Sequence, residues 1–417
     1  LRTLSEWLAL QESVHARSVD LGLERVARVA AELGIPRHPW PAILVGGTNG
    51  KGSTVAHLEA LLLTLDTRVG VFTSPHLRRY NERIRVAGSE VSDAELVAAF
   101  ERIEVARGAT TLTFFEYNTL AAFEIFGRER VAIGVVEVGL GGRLDATNIL
   151  DADVSIVCSI GRDHTDWLGE TLEEIGREKA GIFRPGRPAI LGSAEMPGSV
   201  LTEIERVGAI AWIAGRDFRI EHTGEGWSYH GPGLVLQDLP RSSLAGAVQF
   251  ENAATALAAL ETLGLAPRLT DEVVARALTR VRLPGRLQIV PGDVEWILDV
   301  AHNAPAAARL ASELAARPHA GRTLAVAGIL RDKDAAAIGS ALAAEIDGWV
   351  LCTLPGARGE TAAALAQRLV PTAPVIALAE DVPSGCRIAR DAARPGDRIV
   401  VFGSFHTVGP ALDWLGL

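Results

Sequence analysis

The sequence predicts an α/β fold in two parts. The amino-terminal part holds a mostly parallel sheet flanked by helices, with a small β subregion, and a smaller carboxy-terminal part holds a second α/β sheet. Three observations predict it. Apolar runs of strand length alternate with segments whose apolar residues recur at helical spacing, the pattern of helices packed on a largely parallel sheet. The first such run, residues 42–46, leads through a glycine-rich turn into a helical pattern near Lys51. A break at Pro284-Gly285 precedes a renewed alternation of strands and Ala-rich helices, so the domains are placed at residues 1–283 and 287–417.

A chain of 417 residues has room for about two or three domains with large cores. Hydrophobic residues make up 48% and charged residues 22%, a globular composition. The net charge of −10 argues against a nucleic-acid partner. No apolar run has the length of a transmembrane helix, so no membrane partner is expected. The opening Leu1-Arg2-Thr3-Leu4-Ser5-Glu6-Trp7 lacks the regions of a signal peptide, and the expected compartment is the cytoplasm. Cys158, Cys352 and Cys386 are far apart and odd in number, which indicates neither a disulfide framework nor a CxxC metal site. The 41 basic residues include only three lysines, Lys51, Lys179 and Lys333. A chain that otherwise uses Arg keeps Lys where a compact or deprotonatable amine matters, chance survival being the alternative.

Residues 5–34 read as helical. The less regular piece at 14–22 is either a bent loop between two helices or a stretch in which Ser18 and Asp20 act as caps, and spacing favours the caps. In Val45-Gly46-Gly47-Thr48-Asn49-Gly50-Lys51-Gly52-Ser53-Thr54 the glycines let backbone N–H groups turn onto an anion. The helix start adds its positive dipole end, Lys51 supplies a point charge for outer phosphates, and Ser53 or Thr54 offers Mg²⁺ a hydroxyl. The loop departs from the common phosphate-loop pattern, since Val45 replaces the first Gly and Gly52 separates the Lys from the hydroxyl.

A second strand at 69–73 puts Ser74 at its carboxyl end, where open parallel sheets bind ligands. An acid-capped helix starts from Ser92. Residues 111–117 gather Phe114, Phe115 and Tyr117 around Glu116, either as a clamp for a flat heterocycle or, by preference, as the start of a core-packing helix. The buried-strand pattern at 131–139 is interrupted by Glu137, which needs Mg²⁺ or an ion pair as partner. A Gly-rich loop at 139–148 follows. After a strand at 154–160, His164 reads equally as a loop cap and as a metal or phosphate contact. Lys179, in a charged helix, reads either as one of the retained amines or as no more than a solvated-face charge. Residues 195–250 read as the small β subregion, ahead of an Ala-rich helix led by Glu251-Asn252. Beyond it, strands at 296–299, 324–329, 349–352, 375–378 and 398–403 alternate with helices in a Rossmann-like arrangement that has no complete nucleotide loop of its own.

Thr48-Asn49-Gly50-Lys51-Gly52-Ser53 resembles the loop of the folylpolyglutamate synthases and, less closely, that of the Mur peptide ligases. Further strings extend the likeness over nearly the whole chain. They are Asp20 to Arg25, Ser74-Pro75-His76-Leu77, Glu137 to Asn148, Asp163-His164-Thr165, Arg177 to Ile182, Pro284-Gly285-Arg286, Asp299 to Asn303 and Gly403-Ser404-Phe405-His406. The chain therefore resembles the folylpolyglutamate synthase family, most closely its bifunctional members that are also dihydrofolate synthases.

The resemblance implies a P-loop-type ATP-binding domain and a carboxy-terminal ligase domain, with the site in the interdomain cleft. It implies an ATP-dependent amide ligase joining L-glutamate to dihydropteroate and to folates through an acyl phosphate, with release of ADP and phosphate. A Mur-type ligase acting on another carboxylate is the alternative; a nucleotide switch would need an Asn-Lys-x-Asp string, and no lysine here follows an Asn. Gly50, Lys51, Gly52 and Ser53 would hold the phosphates, with Asn252, Arg286 and Asp299 completing the ATP site. Ser74, Glu137 and His164 would bind magnesium, two ions being expected and a monovalent cation besides. Asp20, Thr113, Phe114, Phe115, Glu116, Leu144, Asp145 and Ala146 would form the pterin-substrate site. Lys179 resembles a lysine carried as a carbamate, and His302, Arg83 and Ser404 would place or deprotonate glutamate. The partners implied are small molecules only, and a monomer is expected.

Overall fold

The structure, a computed structural model, describes residues 2–15, 20–224, 226–369 and 373–417. Eight strands form the first sheet: β1 (Ala42–Gly46), β2 (Val69–Phe72), β3 (Ile84–Val86), β4 (Ser89–Glu90), β5 (Ile133–Glu137), β6 (Val154–Val157), β7 (Pro188–Leu191) and β8 (Ile210–Ile213). Their order is β4-β3-β2-β5-β1-β6-β7-β8, parallel from β2 to β8 and closed at one edge by the antiparallel β3 and β4. β1, β2, β5 and β6 are buried along their whole length, as the continuous apolar runs require of strands covered on both faces.

Helices Leu4–Val14, Glu24–Glu32, Asp93–Arg107 and Phe114–Arg128 share one core around Trp7, Trp40, Phe100 and Phe123. Helices Lys51–Thr64, Val248–Thr262 and Asp271–Leu278 share another, together with the antiparallel sheet of β9 (Arg219–Thr223), β10 (Gly226–His230) and β11 (Val235–Leu239). The sequence pattern assigned 210–213 to the β subregion, whereas β8 extends the main sheet beside β7. Helix Val248–Thr262 starts three residues ahead of Glu251.

The second sheet runs β12 (Gln288–Val290), β13 (Glu295–Asp299), β17 (Arg398–Phe402), β14 (Thr323–Ala327), β15 (Gly348–Cys352) and β16 (Val375–Ala379), parallel except for β12. The chain forms two compact units. One runs to Ser243 and resumes over Val248–Val281, and the other comprises Leu244–Ala247 with Arg282–Leu417. The short segment Leu244–Ala247 joins the second unit through Ala245 and the Ala247 amide, which donates to Glu313 Oε1 at 2.6 Å.

Gly70 of β2 faces Gly134 of β5 in register, and this glycine pair makes the floor on which the helical layer packs. A Cβ on Gly134 would lie 1.7 Å from Trp40 Nε1, and one on Gly70 would lie 2.7 Å from the Phe126 ring. Trp40 in turn meets Phe123 and Phe126 edge-on at 5.7 and 5.6 Å. Gly134→Ala is therefore expected to cost about 1–3 kcal/mol by overpacking. Urea unfolding should show it as a lower midpoint at unchanged slope.

Candidate phosphate and carboxylate site

The carboxyl ends of β2, β5, β1 and β6 lie side by side, and each carries a residue singled out by the sequence. Ser74 follows β2, Glu137 ends β5, the glycine-rich loop leaves β1, and the segment to His164 leaves β6. Val45 pairs with Glu137 and Gly46 with Val157, so the loop rises between the acid and the β6 exit. This is the place where parallel sheets take their ligands.

The loop is tied down on its β6 side. Thr48 N–H donates to Ser159 O at 2.7 Å, Thr48 Oγ1 donates to Gly161 O at 3.1 Å, and Asn49 N–H donates to Ser159 Oγ at 3.1 Å. Gly47 (φ +133°) and Gly50 (φ +91°) turn the chain in the left-handed region. A Cβ on Gly47 would sit 3.0 Å from the Cys158 amide, and one on Gly50 would sit 2.9 Å from Asn252 Oδ1. Asn252, from helix Val248–Thr262, thus stands against the loop. Helix Lys51–Thr64 leaves the N–H groups of Lys51, Gly52 and Ser53 without intrahelical acceptors, a ready anion seat. Thr54 is fully buried, with its hydroxyl 3.4 Å from Cys158 Sγ, so Ser53 is the hydroxyl left at the first turn.

Lys51 Nζ donates to Gly47 O at 3.0 Å and Thr48 O at 3.2 Å, and Lys179 Nζ donates to the same Gly47 oxygen at 3.1 Å. Lys179 is no solvated charge. It is 5% exposed, and burial, reinforced by the charge of Lys51, lowers its pKa to about 7, with Asp163 and Asp145 opposing. Glu137 is buried and its Oε2 accepts the Ser74 amide at 3.1 Å, so these two proposed metal ligands meet. His164 adopts left-handed backbone at the start of helix Thr165–Leu168 without a side-chain cap bond, and its ring lies 3.9 Å from Asp163. Among the described residues no three His, Cys, Asp or Glu gather as a metal site.

Ser18 lies outside the described residues, and the preference for caps is not met by Asp20. Helix Glu24–Glu32 begins at Leu23 without a side-chain cap, and Asp20 instead binds Arg25, whose Nη1 is 2.5 Å from Asp20 Oδ2. Arg25 Nη2 lies 3.2 Å from Glu116 Oε1, which brings two proposed pterin-site carboxylates onto one guanidinium. Nothing in the spacing singled out Arg25. Thr113 and Glu116 cap helix Phe114–Arg128 reciprocally, at 2.7 and 3.2 Å, and leave Phe114 and Phe115 half-buried at its start. Asp145 is buried and holds its own loop by accepting the Leu140 and Thr147 amides at 2.8 and 3.0 Å, flanked by half-buried Leu144 and buried Ala146. Burial raises the Asp145 carboxyl, and these hydrogen bonds oppose the rise.

In the second unit Phe405 gathers the named residues. The Arg286 guanidinium lies 5.1 Å from its ring centroid and the His302 ring 6.3 Å. The neighbouring Ser404 is buried and caps helix Phe405–Trp414 by accepting the His406 amide at 3.0 Å. Asp299 accepts the Leu287 and Ala301 amides at 2.7 and 2.8 Å, and burial raises its carboxyl against the pull of Arg286.

Two family descriptions match this chain: the Mur ligase middle domain over residues 45–191 and the Mur ligase glutamate ligase domain over residues 285–405. The chain is thus an ATP-dependent ligase of the Mur type. The dihydrofolate synthase/folylpolyglutamate synthase of Escherichia coli (strain K12) is 43% identical over 411 residues, covering 98% of this chain and 95% of that protein. The E. coli FolC structure in complex with DHPP and ADP superposes with a TM-score of 0.93 at 42% identity, covering 100% of this chain and 98% of that one. A bifunctional enzyme of the same name solved with Mn, AMPPNP and L-glutamate bound gives 0.91 at 42%, with coverage of 100% and 98%. The chain belongs to the dihydrofolate synthase/folylpolyglutamate synthase family.

The depressed pKa of Lys179 fixes a sign. Between about 7 and 10.5 the unfolded chain holds the Lys179 proton and the folded chain does not, so stability rises with pH across that window. In CO₂-free buffer Lys179→Met should unfold at higher urea than the parent at pH 7, and the gap should narrow by pH 9. A gap that is constant with pH would show that Lys179 is charged in the folded protein.

Proposed function

We propose that this chain joins L-glutamate to 7,8-dihydropteroate, making dihydrofolate, and to folates, extending them, at the expense of ATP. The observation that carries the reading is the Gly47 carbonyl held by Lys51 and Lys179. It sets the Lys51 ammonium and the Lys179 amine, neither in an ion pair among the described residues, at the open start of a buried helix. Such a seat is made for a polyanion. Family membership supplies the reaction class.

A carboxylate is a poor electrophile at neutral pH, and amide formation needs a better leaving group than oxide. A carboxylate oxygen of the pterin acid attacks the γ-phosphorus in line and ADP leaves, with Lys51 and the helix N–H groups holding the developing charge. The α-amine of glutamate then attacks the acyl carbon, and phosphate departs with the oxygen that had been the acid's. Gly50, Lys51, Gly52 and Ser53 take the phosphates, and Asn252, Arg286 and Asp299 complete the nucleotide's contacts. Asp20, Thr113 to Glu116 and Leu144 to Ala146 take the pterin, while Arg83, His302 and Ser404 serve glutamate.

Ser74, Glu137 and His164 are the residues we assign to Mg²⁺. A buried carboxylate beside a serine fits an ion that takes one or two protein oxygens and completes its shell with phosphate and water. Bound there, the ion supplies neutralisation of phosphate charge. A second magnesium ion and a monovalent cation belong to the same reading, as does a monomer acting in the cytoplasm. A buried Lys179 with a pKa near 7 is partly neutral amine, the form that adds CO₂, and we assign it as the carbamate.

Purified protein given dihydropteroate, ATP and L-glutamate should make dihydrofolate, and with tetrahydrofolate it should make the diglutamate. Absence of product with both would leave another carboxylate, a nucleotide-linked peptide, as the substrate to try. With ¹⁸O in the pterin carboxylate, label should appear in the released phosphate; unlabelled phosphate would remove the acyl phosphate. Lys51→Ala should abolish ADP formation, and Lys179→Arg should lose most activity while still folding.

A further inference from the structure

Arg83 is a buried cation, 8% exposed, in the helical turn Tyr80–Arg83. Its guanidinium carbon lies 5.6 Å from the Tyr80 ring centroid and 5.5 Å from that of Phe114, and because these centroids are 6.1 Å apart with the rings at 77°, the group packs in the corner that the two rings make. The Tyr80 hydroxyl is itself anchored on Asn118 Oδ1. Arg83 Nε donates to His76 Nδ1 at 2.8 Å. A guanidinium has no acceptor, so His76 Nδ1 must be the acceptor, and its imidazole carries no proton on that nitrogen. Among the described residues Arg83 forms no ion pair. Glu137 and Glu82 favour its charge only from a distance. Buried charges are normally paired, and rings with one imidazole fix the plane of a guanidinium without neutralising it.

We infer that His76 is a positioning residue for the amino-acid substrate. By holding Nε while the guanidinium packs against the corner of Tyr80 and Phe114, it aims the two Nη groups of Arg83, as a fork, at a carboxylate of the incoming L-glutamate. This rests on the reading above that Arg83 serves glutamate. Fork geometry matters because a bidentate guanidinium–carboxylate pair loses much of its strength when the plane turns. Phe114 then has two duties, one ring being shared between the pterin site and the glutamate receptor.

The test uses the full-length enzyme with Mg²⁺ and ATP, with KM measured separately for L-glutamate and ATP. His76→Ala should raise the glutamate KM about tenfold or more, the loss of one charge-assisted hydrogen bond, and leave the ATP KM within about twofold. His76→Asn, whose Oδ1 reaches about where Nδ1 stood, should recover most of the loss, and His76→Gln should not. Added to Arg83→Ala, His76→Ala should cost nothing further. Additive losses, an equal rise in both KM values, or no rescue by Asn over Gln would overturn the positioning role. The Asn and Gln variants keep the test decisive if the Ala variant does not fold. If Arg83→Ala itself leaves the glutamate KM unchanged, the underlying reading of Arg83 fails. If Arg83→Ala raises it and His76→Ala does not, only the inference about His76 fails.

Discussion

The tether between the loop after β1 and the exit of β6 is the constraint on which the site depends. A phosphate seat must keep its N–H groups turned outward and unsatisfied, which a free loop would avoid by folding onto itself. Thr48 prevents this by bonding through both its amide and its hydroxyl to the chain between Ser159 and Gly161. The glycines at 47 and 50 follow from that closeness, because any Cβ there would strike Cys158 or Asn252. With the loop fixed to β6, the parallel order β2-β5-β1-β6 sets Ser74 and Glu137 on its other side without further design.

Much of the fold was legible because long apolar runs and helical periodicity are strong signals, and the strands β1, β2, β5 and β6 fall where the runs fall. Weakly patterned pieces were not legible. β12 is three residues long and half-buried, β8 is mostly half-exposed, and the membership of Leu244–Ala247 is a matter of long-range packing. Within the site, the scarcity of lysine pointed at Lys51 and Lys179, and two of the three lysines do share one carbonyl. Lys179 looked solvated because Arg177 and Glu178 precede it, yet it lies four residues after Ile175, which is fully buried on the same helix face. That phase was the available clue. The choice between Ser53 and Thr54 rests on the neighbour Cys158, Arg25 meets Glu116 from far along the chain, and His76 meets Arg83 only because the chain turns between them, which no local spacing encodes.

The chain carries a net charge of −10, yet along one sheet edge it holds three basic groups, half-buried Lys51 and buried Lys179 and Arg83, that form no ion pair among the described residues. An acidic protein has carboxylates enough to neutralise them, so their isolation is a property of the fold. Each such charge opposes folding through desolvation, and the opposition is relieved only when an anion arrives. Nucleotide, pterin acid and glutamate are all anions, so each proposed substrate would relieve a different part of the strain. Binding energy of this kind is directional: Lys51 answers a phosphate at the helix start, and a guanidinium held at Nε answers a planar carboxylate. A carbamate on Lys179 would alter the balance by replacing one of the two crowded ammonium groups with an anion, which would leave Lys51 better paired and the phosphate seat less positive. The tendency of Lys179 to lose its proton and the crowding on Gly47 O are thus two aspects of one electrostatic arrangement, since burial and the neighbouring Lys51 are what lower its pKa.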